Sequence, residues 1–202
     1  MNGGGGLVYA SRNPNGTYAI ETAAPSVLEV SLVLDSTGSP HVSYYDTVAQ
    51  SIAYAHRTSP GWEIENVDSS DGTFHSNRIR LDASDRPHLC YEKIGTDLYS
   101  ILGYATRSAA GVWTKGGPSF PKDNPGGYCA IALDRQGQPH ISHATGLSTL
   151  YSYLQGGTWV NMTVDVYGAS GGYTSIALDL SDKPSISYYD FAQHQLRYAR
   201  QK

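Results

Sequence analysis

Apolar and polar residues alternate along short runs of this chain, and clusters of glycine, aspartate, serine and proline separate the runs. In "PHVSYYD", Pro40 to Asp46, and "SIALD", Ser175 to Asp179, the alternation has the period of two expected of half-buried β-strands. No ten-residue stretch combines a 3.6-residue period with helix caps. The pattern therefore predicts strands and turns throughout.

The runs recur. "SLVLDSTGSPHVSYYD", "RIRLDASDRPHLCYEK", "AIALDRQGQPHISHAT" and "SIALDLSDKPSISYYD" align without gaps on Asp35, Asp82, Asp134 and Asp179, at spacings of 47, 52 and 45 residues. A second signature follows each: "IAYA" to Ala55, "LGYA" to Ala105, "YSYL" to Leu154 and "LRYA" to Ala199, with "LVYA", Leu7 to Ala10, ahead of the first. A third carries Trp62, Trp113 or Trp159, and Tyr18 near the start. Four short strands per repeat predict an all-β fold, a β-propeller of four-stranded antiparallel blades with about four repeats in the chain. The expected organisation is a glycine leader over 1–6 and a propeller domain over 7–202. Its repeats run over 30–76, 77–128, 129–173 and 174–202 plus 7–29. The chain begins and ends in the third strand of a repeat, so "GTYAIET" is expected to close the ring as the outer strand of the last blade. "LVYAS" is then surplus, which leaves two alternatives: a segment of a larger propeller, or homo-oligomeric association through unpaired blade strands.

Composition narrows the partners. Sixteen tyrosines, 22 glycines and few charges in 202 residues suit strands and tight turns. A net charge of −4 offers no field for a nucleic-acid backbone. No apolar run approaches the roughly 20 residues of a membrane helix, so neither nucleic acid nor membrane insertion is expected. "MNGGGG" lacks the basic and apolar regions of a signal peptide and reads as a flexible leader. Cys90 and Cys129 fit no metal-ligand spacing and read as buried small hydrophobes. No metal site or cofactor is expected.

The repeat S-[LI]-A-L-D-x-x-G-x-P-H-I-S-Y-Y-D…L-x-Y-A…W resembles that of bacterial β-propeller repeat proteins, over Leu7 to Arg200. The resemblance implies a binding or scaffolding module and favours an extracellular or cell-surface location. The chain departs from the Asp-box of sialidase-type propellers, S-x-D-x-G-x-T-W, since here the aspartate lies three residues before the turn glycine and no tryptophan follows.

Folding the first two strands of a repeat as a hairpin with a loop of about five residues sets Asp35 opposite His41, Asp82 opposite His88 and Asp134 opposite His140. These read as structural hairpin pairs rather than a ring of metal ligands, because blades hold equivalent positions too far apart for one ion. The informative copies are the irregular ones. The same register sets Arg78 against Glu92, which replaces Tyr45, as an ion pair. It sets Arg80 against Cys90 without a partner, as the better anion-binding candidate. His143 replaces the first tyrosine of the third copy and is a candidate to line a pocket near Arg80. Loops at one end of the blades gather Tyr45, Asp46, Tyr189, Asp190, Phe74, His75, Tyr128 and Tyr173, aromatic faces beside carboxylates that suit sugar or peptide binding. With no phosphate loop or nucleophile elbow in view, the expected function is a non-enzymatic ligand-binding or scaffold propeller recognising carbohydrate or a protein surface. The alternatives are a polysaccharide-acting hydrolase or lyase using Arg80, His143 and Glu92 in a central channel, and a structural repeat segment of a larger surface protein.

Overall fold

The computed structural model describes residues 5–69, 72–96, 99–119, 127–145, 147–166 and 171–202. They form four antiparallel sheets with no helix among the described residues. The first contains β1 (Gly5–Arg12), β2 (Tyr18–Leu34), β3 (Pro40–Asp46), β4 (Ser51–Arg57) and β5 (Trp62–Asp68). The second contains β6 (Thr73–Leu81), β7 (Pro87–Ile94), β8 (Ser100–Arg107) and β9 (Trp113–Gly116). The third contains β10 (Gly127–Leu133), β11 (Pro139–Ala144), β12 (Ser148–Gln155) and β13 (Thr158–Val166). The fourth contains β14 (Gly171–Leu178), β15 (Pro184–Asp190) and β16 (Gln195–Arg200). Within each sheet, strands adjacent in sequence pair with one another. Gly5 and Gly6 begin β1 instead of belonging to the leader, the rest of which lies outside the described residues.

The long strand β2 belongs to two layers. Its first part pairs with β1 from Tyr18 to Val27, and its second with β3 from Val27 to Leu34. Glu21 accepts hydrogen bonds from Arg57 and Trp62, just as Glu65 accepts from Arg107 and Trp113 one sheet later. The start of β2 thus stands to the first sheet as the first sheet stands to the second. Among the described residues no N-terminal strand lies beside β16, so the expected closure is not seen there. A tight turn with Gly16 at φ 87 folds β1 back onto β2, and β2 runs unbroken to Leu34, so both strands are tied to the first sheet.

The opening strands β2, β6, β10 and β14 pack side by side in a row. One column of residues locks each neighbour to the next. Ser43 Oγ donates to Asn77 Oδ1 at 2.5 Å, and Ser142 Oγ donates to Thr174 Oγ1 at 2.9 Å. At the middle junction the equivalent residues are Cys90 and Cys129, which form a disulfide. This corrects the expectation of two buried free thiols. A second column repeats where chemistry allows: the Tyr91 hydroxyl donates to Asp68 at 2.9 Å, and the Tyr188 hydroxyl to Asp165 at 2.6 Å. Between them, Trp113 packs edge-on against Tyr54 and Trp159 against Tyr104, with centroids 5.3 and 5.4 Å apart. The core is therefore laid down between sheets, from side chains contributed by consecutive repeats.

Register differs from expectation by two residues. Leu34 pairs with Pro40 and Val33 with His41. Asp35 sits inside the turn, where its Oδ1 accepts from the Thr37 and Ser39 N–H groups, each at 2.8 Å. The Asp35 N–H bonds the Ser39 carbonyl inside the turn, so the residue lies beyond the last ladder pair, while its Oδ2 still faces His41. The third tyrosine signature also shifts: Tyr151 pairs with Ser142 as Tyr54 pairs with Ser43, so Tyr153 of "YSYL" is not the equivalent residue.

Candidate functional site

Where it pairs with the next strand, each opening strand contains a β-bulge, at Leu28/Ser31, His75/Arg78, Gly127/Ala130 and Gly172/Ser175. Inside each bulge one residue takes the left-handed conformation: Glu29 at φ 56, Ser76 at 51, Tyr128 at 54 and Tyr173 at 51. Non-glycine residues rarely adopt it, and bulges re-aim side chains next to sites. All four residues line one depression of about 310 Å³, together with Arg78 and Thr174. Four sheets thus contribute the same strained position to one place, with different chemistry at each.

The depression is aromatic on one side and charged on the other. The Tyr128 and Tyr173 rings lie 4.6 Å apart, and Tyr173 is 66% exposed. Phe191 packs behind Tyr173, and Tyr189 packs edge-on against Phe191. Glu29 Oε2 accepts the Ser76 N–H at 3.2 Å. Burial, Tyr173 and the carboxylates of Glu92 and Glu29 raise the pKa of the Tyr128 hydroxyl, which stays a neutral donor. The floor is braced: Arg78 pairs with Cys90 in the ladder, and Cys90 is joined to Cys129, the residue after Tyr128. The disulfide therefore fixes Arg78 relative to Tyr128.

The structure brings Arg78, Tyr128 and Tyr173 together and disperses the other expected residues. Arg78 does not pair with Glu92: it lies opposite Cys90, and its Nη1 donates to the Asn77 carbonyl at 2.7 Å. Glu92 lies opposite His75 and accepts from Ser100 Oγ at 2.7 Å. The two-residue register shift and the bulge between His75 and Arg78 separate the pair. Arg80 lies opposite His88, not Cys90, and donates to the Ile79 carbonyl at 2.9 Å. His143 is fully buried, 2.9 Å from Ser152 Oγ, and lines no part of the depression. Tyr45 and Phe74 are core residues 6.2 Å apart rather than loop residues. Asp46 and Asp190 each accept from two backbone N–H groups in the turn that follows. Asp190 also meets Arg197 at 2.8 Å, and the Tyr189 hydroxyl lies 3.2 Å from His194.

Three Asp–His–Tyr chains recur at the turn ends of the first three sheets. Asp35, Asp82 and Asp134 face the Nε2 atoms of His41, His88 and His140 at 3.4, 3.7 and 3.5 Å. The Nδ1 atoms meet the hydroxyls of Tyr54, Tyr104 and Tyr151 at 2.6, 2.6 and 2.5 Å. Burial holds all three imidazoles below the ordinary histidine pKa despite the facing carboxylates. In the fourth sheet Ser185 replaces the histidine and accepts from the Tyr198 hydroxyl at 3.0 Å. Among the described residues no group of three or more His, Cys, Asp or Glu side chains is arranged to hold a metal ion.

Glu29, Ser76 and Thr174 were not singled out from sequence. Their signal is columnar: Tyr128 and Tyr173 stand six residues before their turn aspartates, and the same column holds Glu29 and Ser76.

No family model matches the chain, and no curated protein does. Solved structures do. A protein of unknown function from Dyadobacter fermentans aligns with a TM-score of 0.66 over 96% of this chain and 67% of its own, at 9% identity. The exo-β-1,3-galactanase from Phanerochaete chrysosporium, solved with galactose, aligns at 0.57 over 90% of this chain and 52% of its own, at 10% identity. A thermostable family-43 glycoside hydrolase aligns at 0.52 over 98% and 91%, at 12% identity. The chain spans about half the length of the galactanase. At these identities the likeness is one of fold, and the chain has an all-β, β-propeller-like fold of antiparallel sheets.

Proposed function

We propose that this chain is a propeller module that binds carbohydrate without turning it over, at the depression where the four bulges meet. The observation that carries the reading is the exposed Tyr128–Tyr173 pair beside Glu29 and Arg78. Tyrosine faces stack on the apolar face of a sugar ring, while a carboxylate and a guanidinium take up its hydroxyls. The fold likeness to glycoside hydrolases supports a sugar over a protein ligand. Binding is favoured over hydrolysis because Arg80, Glu92 and His143 do not converge. Glu29 is the one carboxylate lining the depression among the described residues; it and Glu92 each already accept a hydrogen bond from the protein, and a glycosidase needs a carboxyl pair free to act on one bond. A glycan array read together with a reducing-sugar assay tests this. Retention of a glycan without release of reducing ends is expected, whereas turnover without retention supports the hydrolase instead.

A second reading concerns assembly. The fourth sheet has three strands, and its last strand leaves Leu196 79% and Tyr198 65% exposed. In this reading the four sheets are blades of a ring completed by association through that edge, as a homo-oligomer or as part of a larger propeller.

A further inference from the structure

On β6, Arg78 and Arg80 occupy the two positions where the other opening strands carry Ser31 and Val33, Ala130 and Ala132, or Ser175 and Ala177. Residues two apart on a strand share a face. Two guanidinium groups therefore stand side by side at a site built for small side chains. Arg57, Arg86, Arg107, Arg135, Arg197 and Arg200 each meet a carboxylate. Among the described residues, Arg78 and Arg80 have no carboxylate within 4.0 Å, and each donates one N–H to a neighbouring carbonyl. Burial and the adjacent Arg78 both weigh against the charged form of Arg80, a cost that a bound anion offsets.

Two unpaired guanidinium forks offer the bidentate geometry that a carboxylate fills. A free inorganic anion has no use for the paired tyrosine faces, and a neutral sugar, though its hydroxyls can bond a guanidinium, leaves the positive charge of the arginine pair uncompensated. Arg78 lines the depression with Tyr128 and Tyr173, and Arg80, outside that lining, follows two residues further along the same face of β6. We propose that the ligand is an acidic saccharide whose ring packs on Tyr173 and Tyr128 and whose carboxylate is held by Arg78 and Arg80. Glu29, which lines the same depression with its carboxylate against the Ser76 N–H, then accepts from ring hydroxyls and repels a carboxylate presented the wrong way round, which sets the orientation. This assignment rests on the carbohydrate reading above and names its substrate class.

The test immobilises uronate- and sialate-bearing oligosaccharides beside the same sugars with their carboxyls reduced to alcohols, and includes a poly-aspartate peptide. Wild type and R78Q/R80Q are compared on all of them. Acidic sugars are expected to be retained, with carboxyl reduction or the double substitution lowering affinity about tenfold or more, and with added salt weakening the wild-type interaction. Equal retention of acidic and reduced sugars by wild type would overturn the acidic class and leave the carbohydrate reading standing. Retention of the peptide alone, lost in R78Q/R80Q, would overturn both in favour of an acidic peptide. No retention of any probe would likewise overturn both. The wild-type comparison of acidic with reduced sugars decides the matter even if the double variant melts early.

Discussion

At the scale of single residues, the chain repeats a motif and then alters it where function is proposed. Asp35 shows the structural use. Burial would raise its pKa, yet hydrogen bonds from Thr37 and Ser39 outweigh this and hold it down at about 2. The facing histidines behave in the opposite sense. Their folded pKa values are held below the usual 6.5 by burial, so between the two values the unfolded chain binds more protons than the folded one. Their contribution to stability is full above pH 6.5 and is lost as pH falls through the folded values. Melting temperature is therefore expected to be flat above about pH 7 and to fall below pH 6.5, with the Asp35 contribution disappearing only in a later window, between about pH 4 and 2. A melting temperature that stays level from pH 7 to 5 would contradict the assignment of three neutral, buried imidazoles. The Asp–His association was legible in the sequence because the residues recur at one spacing. Its geometry was not, because a turn-capping aspartate and a cross-strand aspartate have the same spacing.

At the scale of elements, the strand pattern, turn positions and repeat could be read from residue types alone, since each hairpin carries its own alternation and turn residues. The bulges could not. Glu29, Ser76, Tyr128 and Tyr173 share a left-handed backbone but no side-chain chemistry, so nothing in their identities announces it. The expected repeat boundaries at 29/30, 76/77, 128/129 and 173/174 fall immediately after these residues. Missing the bulge and the turn cap together set Arg78 against Glu92; the pocket expected at His143 rested on its replacing a tyrosine, and the structure buries it instead. The disulfide was missed for a related reason: Cys90 and Cys129 occupy columns that hold Ser43 and Asn77, or Ser142 and Thr174, elsewhere, and only the packing of consecutive opening strands shows that these columns meet. C90S/C129S keeps hydrogen-bonding chemistry at that junction and loses only the cross-link, so it is expected to be less stable by about 2–4 kcal/mol. Reductant should lower the melting temperature of wild type and leave the variant unchanged. Equal melting of wild type with and without reductant would show that the cross-link is not formed. A disulfide of this kind persists in an oxidising environment.

At the scale of the whole molecule, four sheets share one scheme of contacts, and the scheme stops at both ends. β2 presents Leu28, Val30, Leu32 and Leu34 about half exposed, at positions whose counterparts in the row include the buried Ile79, Ile131 and Ile176. β16 presents Leu196 and Tyr198. If association completes the ring, light scattering should find a mass above the chain's 21.8 kDa, with L196E/Y198E returning it to a single chain. A monodisperse single chain at high concentration would contradict assembly without touching the proposed site, which lies where the sheets meet and not at the free edge.

The central claim is that the strained, convergent bulge residues form a sugar-binding site, and Tyr173 is its most exposed member. The most direct measurement is calorimetric titration of a retained glycan into wild type and Y173A, alongside their melting curves. Loss of a stacking face is expected to weaken binding about tenfold or more while the melting temperature stays within a few degrees of wild type. Unchanged affinity in Y173A would contradict the claim and place any sugar binding elsewhere on the molecule.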